Sequence, residues 1–259
     1  PSFPVNGRPA PPNPGAGVNA PPPPPVGTGA GDFSRLETRA KLCYTVLDSS
    51  RWHMDYTVVD MSAWPRREHF EHYMSAVPCT YSMTTKLDIS NLRRRQMKLY
   101  PTMLYLLTRT VNAHEPFRMA LREGELVLYS SMEPCYTVFH PETETFSNIW
   151  TEFTDDYGEF LRRYNADLEL YGNCTAFMAK PGVPENSFTV SMIPWAGFDG
   201  FNLNTAGFKY LIPIFTLGRY SEEAGRCLLP IAVQVHHAVC DGYHICAFIN
   251  DLQEQISSL

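Results

Sequence analysis

The spacing of apolar residues changes period several times along the chain, and each change predicts an element. In 155–170, Phe160, Leu161, Tyr164 and Leu168 recur three and four residues apart, on one face of an amphipathic helix. Residues 64–76 have the same character, with Pro65 suited to a first turn and Phe70 and Tyr73 on a shared face. An apolar helix is expected over 100–113, starting near Pro101, and a closing helix over 243–256. Alternating or short β-rich runs predict strands over 79–87, 125–129, 136–140, 143–149 and 188–193, the last ended by Pro194. Two more such runs, 211–217 and 228–236, flank turn-like residues 221–225 and predict a hairpin.

Helices and strands interleave without strict alternation, and no internal repeat is visible. The expectation is an α+β fold, a two-layer sandwich of a mixed, largely antiparallel sheet with packed helices. This domain covers 57–259. Residues 1–33 stand apart: they hold 11 of the 22 prolines, including the run 21–25. Such a segment cannot bury enough apolar surface to offset its ordering entropy, so a disordered or partly polyproline-II tail is expected, a passive linker or a PxxP ligand. The connecting segment 34–56 is mixed in character, open to a short helix over 34–40 and a strand over 42–47.

Composition narrows the function. Of 259 residues, 44% are hydrophobic and 13% aromatic, enough for a substantial core. A formal net charge of -6 gives no reason to expect nucleic acid or an anionic membrane as partner. No apolar run approaches the roughly 20 residues of a membrane span, and the first residues lack the apolar stretch of a secretory signal. Cys43, Cys79, Cys135, Cys174, Cys227, Cys240 and Cys246 are odd in number and scattered, which suits free thiols in a reducing cytoplasm.

The chemistry concentrates in Gln234-Val235-His236-His237-Ala238-Val239-Cys240-Asp241-Gly242-Tyr243-His244, between an apolar strand and a helix. Adjacent histidines on a strand point to opposite faces, so one can be structural while the other faces a cleft. Asp241-Gly242 makes a turn that reverses the chain beside them. Three histidines and an aspartate so close together also admit a metal site, but no second cluster supplies further ligands, and no metal is expected.

This segment closely resembles the active-site signature of the chloramphenicol acetyltransferases, the trimeric family related to the acyltransferase subunits of 2-oxo acid dehydrogenase complexes. The resemblance extends through Trp64-Pro65-Arg66-Arg67-Glu68-His69-Phe70-Glu71-His72-Tyr73, Val138-Phe139-His140, Glu142-Thr143-Glu144-Thr145-Phe146-Ser147, Pro184-Glu185-Asn186, Ser191-Met192-Ile193-Pro194-Trp195 and Phe198-Asp199-Gly200-Phe201-Asn202-Leu203-Asn204. It runs from about Thr57 to Leu252.

The resemblance implies the family's sandwich fold and acetyl transfer from acetyl-CoA, a co-substrate rather than a resident cofactor, to a hydroxyl of chloramphenicol. His237 is then the general base, its tautomer held through the other ring nitrogen and the backbone, and His236 its structural neighbour. Ser191 donates to the oxyanion and Thr216 supports the intermediate through water. Asp241 pairs with Arg66 and braces the turn; the competing reading has Asp241 orient His237 directly. Tyr73, Cys79, Thr137, Phe146, Phe201 and Leu203 match acceptor-pocket positions. Lys98, Tyr100, Trp195, Arg219 and Tyr220 match CoA positions, and the run Arg93-Arg94-Arg95 receives no role. Cys135, Thr189, Thr205 and His72 depart from residues common in the family, which bears on the acceptor more than on the reaction. The family's trimers, with sites between subunits, imply a homotrimer here. Rival readings are transfer to another hydroxyl compound or a dihydrolipoyl group, and a trimeric scaffold without activity.

Overall fold

The computed structural model describes residues 55–203 and 209–259. The expected tail, nearly all of the connecting segment, and Thr205 lie outside the described residues. In chain order the elements are β1 (Tyr56–Val58), α1 (Arg67–Glu71) continued by a π-helical turn (His72–Ala76), β2 (Thr80–Asp88), α2 (Ser90–Arg94) and α3 (Leu99–Ala113). A 3-10 turn (Glu115–Phe117), β3 (Met119–Arg122), β4 (Glu125–Tyr129), β5 (Glu133–His140), β6 (Thr145–Trp150) and α4 (Tyr157–Tyr171) follow. The chain closes with β7 (Ser187–Met192), β8 (Ile214–Leu217), β9 (Ser221–Glu223), β10 (Arg226–His236) and α5 (Gly242–Ser257).

Each strand and helix expected over 64–256 is present, with shifted ends. The short elements without a counterpart in the periodicity include β3 and the single-turn α2. Strand β3 exists because Glu123 and Gly124 both take positive φ, 52° and 90°, closing a two-residue hairpin onto β4. Helix α2 is a single turn held by its surroundings: Ser90 Oγ donates to Asp88 at 2.5 Å and accepts from the N–H of Cys227 at 2.9 Å. The expected hairpin is also built differently. Strands β8 and β10 do pair antiparallel, but residues 221–223 are themselves a strand, and the tight turn lies at Ala224 and Gly225, with φ of 50° and 76°.

The main sheet has the order β2-β10-β8-β7-β5-β6, with β9 on the start of β10, and a smaller sheet has the order β1-β4-β3. Contacts β5–β7 and β7–β8 are parallel and all others antiparallel, so the sheet is mixed and largely antiparallel.

Alternation decides what each face does. Leu229, Ile231, Val233 and Val235 of β10 join Val190, Phe215, Leu217, Tyr136 and Ile149 in the core under the helices. Phe248 of α5 stacks on Phe117 at 4.3 Å and on Phe215 at 5.4 Å. Each such fully buried ring contributes about 1.5–3 kcal/mol. Helix α3 is buried over most of its surface. Its Thr102, Thr108 and Thr110 hydroxyls donate to carbonyl oxygens one turn back, so no buried donor there is stranded. Ala232, Gln234 and His236 point to the opposite face with Thr216 and Ser191. Among the described residues, no helix is long and apolar enough to cross a membrane.

One half-buried acid sets a pH dependence. Burial pushes the Glu133 carboxyl up to about 7 from an ordinary 4.5; the Phe153 N–H, donating at 2.5 Å, and the charges of Arg163 and Lys180 offset this only in part. A carboxyl raised on folding binds its proton more tightly in the folded chain. Stability is therefore lost as pH rises from about 4.5 to about 7. Glu133→Gln keeps an acceptor for Phe153 and removes the charge. Melting curves should show the variant more stable than the parent at pH 8, with the gap closing by pH 5; a gap independent of pH would contradict this.

Candidate active site

His237 sits where β10 stops. Its N–H donates to the Cys79 carbonyl at 2.9 Å, extending the β2–β10 ladder by one bond beyond the His236–Thr80 pair. The chain then reverses over the His236 carbonyl, which accepts from the N–H groups of Val239 and Cys240. The N–H of Ala238 donates to His236 Nδ1 at 3.1 Å. His236 is thus buried and occupied in making the turn, as alternation predicts. His237 faces the other way and is half-buried.

Two tyrosines hold the His237 ring. Tyr73, from the π-helical turn, stacks on it with centroids 4.0 Å apart and planes within 10°. Tyr81 of β2 flanks it at 5.3 Å, its hydroxyl donating to the Cys240 carbonyl at 3.3 Å. The expected bond from the second ring nitrogen to the backbone is not made: Nδ1 is buried with no partner among the described residues. Stacking on Tyr73 and the flanking Tyr81 ring set the imidazole's orientation. Sequence reading missed Tyr81, since only strand register reveals that it flanks residue 237.

Asp241 serves the turn. Its Oδ2 accepts from Arg66 Nη1 at 2.6 Å, and its Oδ1 caps α5 by accepting from the N–H of Tyr243 at 3.2 Å. His244 Nδ1 lies 2.8 Å from Oδ1 and accepts from the Asp241 N–H at 3.2 Å, which completes a capping box. Burial works to raise the Asp241 carboxyl, but the Arg66 bond and the His244 charge outweigh it and hold the group below its usual range. Burial lowers the His244 imidazole. No hydrogen bond links Asp241 to His237 among the described residues, so the bracing geometry is present and the direct orienting contact is not. Losing one partner of such a pair costs up to about 3–5 kcal/mol when burial is complete, and less here, where 19% and 30% of the side chains remain exposed.

Ser191 and Thr216 are register partners on adjacent parallel strands, their hydroxyl oxygens 3.2 Å apart. Thr216 is buried and Ser191 half-buried, so Ser191 has the freer hydroxyl. Register also measures their separation from His237. Thr216 aligns with Ala232 of β10, five residues before His237 and pointing to the opposite face. At about 3.3 Å per residue and 4.8 Å per strand, Ser191 and His237 of one chain are on the order of 19 Å apart.

The remaining candidates divide along the same line. Tyr73 and Cys79 contact His237. Thr137 lies half-buried on β5, and Phe146 is exposed on β6, 5.9 Å from Phe177. Phe201 is tied to β2, its N–H donating to Thr84 Oγ1 at 3.2 Å, and Leu203 is exposed. Of the CoA candidates, Lys98 is exposed at the cap of α3. The Tyr100 hydroxyl donates to the Val190 and Thr137 carbonyls at 3.1 and 3.4 Å. Trp195 is exposed and packs edge-on to Phe139 at 4.6 Å. Arg219 and Tyr220 line a cavity of about 390 Å³ with Lys86, Phe198 and Pro230. Gly218 keeps that wall tight: a Cβ there would come within 2.8 Å of the Phe198 ring and 2.7 Å of Pro230. Among the described residues, no group of three or more His, Cys, Asp or Glu could hold a metal ion.

The fold is that of the acyltransferases built on this sandwich. A solved chloramphenicol acetyltransferase superposes with a TM-score of 0.67 at 18% identity, covering 79% of this chain and all of its own. A dihydrolipoamide acetyltransferase from Azotobacter vinelandii superposes at 0.57 and 16% identity, over 92% of this chain and 97% of its own. The family model for chloramphenicol acetyltransferase matches residues 54–253. A chloramphenicol acetyltransferase of Campylobacter coli is 55% identical over 206 residues, 79% of this chain and 100% of the relative. The chain belongs to the chloramphenicol acetyltransferase family.

Proposed function

We propose that the chain transfers the acetyl group of acetyl-CoA to a hydroxyl of chloramphenicol by direct attack, and so confers resistance to that antibiotic. The single observation that carries the reading is the half-buried His237 imidazole, fixed between Tyr73 and Tyr81 at the end of a rigid strand in a chain 55% identical to a named enzyme of this kind. The Nε2 of His237 removes the hydroxyl proton as the oxygen attacks the thioester carbonyl. The resulting oxyanion accepts from the Ser191 hydroxyl, which Thr216 supports. Collapse of the intermediate breaks the carbon–sulfur bond, the CoA sulfur leaves, and the proton passes to it from His237. No acyl-enzyme forms.

The distance between Ser191 and His237 within one chain favours a site shared by two copies, and with it the homotrimer expected from the family. The buried Gln234 Oε1, without a partner among the described residues, lies on the same face as Ser191 and supports contact with another chain there. Free thiols at Cys79, Cys135, Cys174, Cys227, Cys240 and Cys246 agree with a cytoplasmic enzyme. Thiol release from acetyl-CoA tests the reading. Release that depends on chloramphenicol supports it. None above background from folded oligomer removes chloramphenicol as acceptor, and release with dihydrolipoamide or another alcohol instead names the replacement.

A further inference from the structure

The Arg93 guanidinium carbon lies 4.9 Å from the centroid of the Tyr220 ring. Helix α2, which carries Arg93, is a firm base for this contact. Ile89 and Leu92 beside it are fully buried, and the N–H of Ile89 donates to the Cys227 carbonyl at 2.8 Å. Asn91 bonds the backbone carbonyls of Ser257 and Leu259 at 3.0 and 2.6 Å. Arg93 itself is exposed, but its stem starts from an anchored turn. Tyr220 is half-buried and lines the 390 Å³ cavity beside Arg219, Phe198 and Lys86. Lys86 is engaged with Glu223 at 2.9 Å and Asp199 at 3.6 Å, which leaves Arg219 as the cavity's unengaged cation among the described residues.

We infer that Arg93 is a positioning residue for acetyl-CoA: it holds the Tyr220 ring by a cation–π contact so that the ring's other face walls the cavity taken by the adenosine end of the co-substrate. This rests on the acetyl-CoA reading above. A purine needs a fixed aromatic face to stack on, and a ring clamped on one side loses less freedom when it binds on the other. Arg93 acts through the ring and does not meet the phosphates.

Steady-state kinetics of the full chain test this. Arg93→Ala should raise KM for acetyl-CoA about three- to fivefold, the size of an exposed cation–π contact. The kcat and the KM for chloramphenicol should stay within about twofold, since neither Arg93 nor Tyr220 is among the acceptor-pocket candidates. Arg93→Lys should recover most of the loss. In a Tyr220→Leu background, Arg93→Ala should add nothing, as a double-mutant cycle requires of a residue acting through its partner. The rise should be equal for acetyl-CoA and its 3′-dephospho form. An unchanged KM in Arg93→Ala overturns the inference, as does a loss confined to the phosphorylated co-substrate or one that adds to Tyr220→Leu. If the parent chain itself fails to release CoA, the underlying reading falls; if the parent turns over and Arg93→Ala matches it, the clamp alone falls.

Discussion

His237→Ala should lower kcat with acetyl-CoA and chloramphenicol by about 10²–10⁴-fold, the range for removing a general base. The loss should appear in kcat and kcat/KM together, because the imidazole acts on the proton in flight rather than on bound ground states. The fold should survive. Truncation removes one half-buried ring stacked on Tyr73 at 4.0 Å, and the N–H that donates to Cys79 is retained. An aromatic contact of this kind is worth about 0.5–1.5 kcal/mol, a shift of a few degrees in the melting midpoint. A folded variant keeping more than a tenth of the parent rate would exclude residue 237 as the base.

Ser191→Ala should lower kcat by about 10²–10³-fold, as expected for one oxyanion donor, with little effect on binding of either substrate. The two variants together test the geometry. Within one chain, residues 191 and 237 face opposite ways and lie on the order of 19 Å apart. Co-refolding equal amounts of His237→Ala and Ser191→Ala, each nearly inactive, should restore about a quarter of parental activity, since random assortment joins an intact base and an intact donor across that fraction of interfaces. A mixture as inactive as its components would place both groups in one protomer and overturn the shared site.

The Arg66–Asp241 contact illustrates what each level of description supplies. The sequence has an aspartate beside the histidines and an arginine 175 positions before it. Pairing them came from the family resemblance, and the structure gives the bond as 2.6 Å between Nη1 and Oδ2. The competing direct link from Asp241 to His237 could be decided only by coordinates, because a short loop is compatible with either orientation of the carboxylate. The turn itself was legible, since Asp241 and Gly242 mark it.

Periodicity and residue type determined the long helices, the strand that delivers the histidine pair, and the opposite orientation of His236 and His237. These are local properties, set by backbone geometry within a few residues. Tertiary structure alone decided which strand lies beside which, and hence that Tyr81 flanks His237 and Arg93 covers Tyr220. It also decided that half-buried Glu133 is desolvated enough to have its carboxyl raised to about 7, and that Ser191 and His237 of one chain face opposite ways across the sheet. Each of these depends on pairing register or on desolvation by residues distant in sequence, and the order of side chains along one strand carries no record of its neighbours.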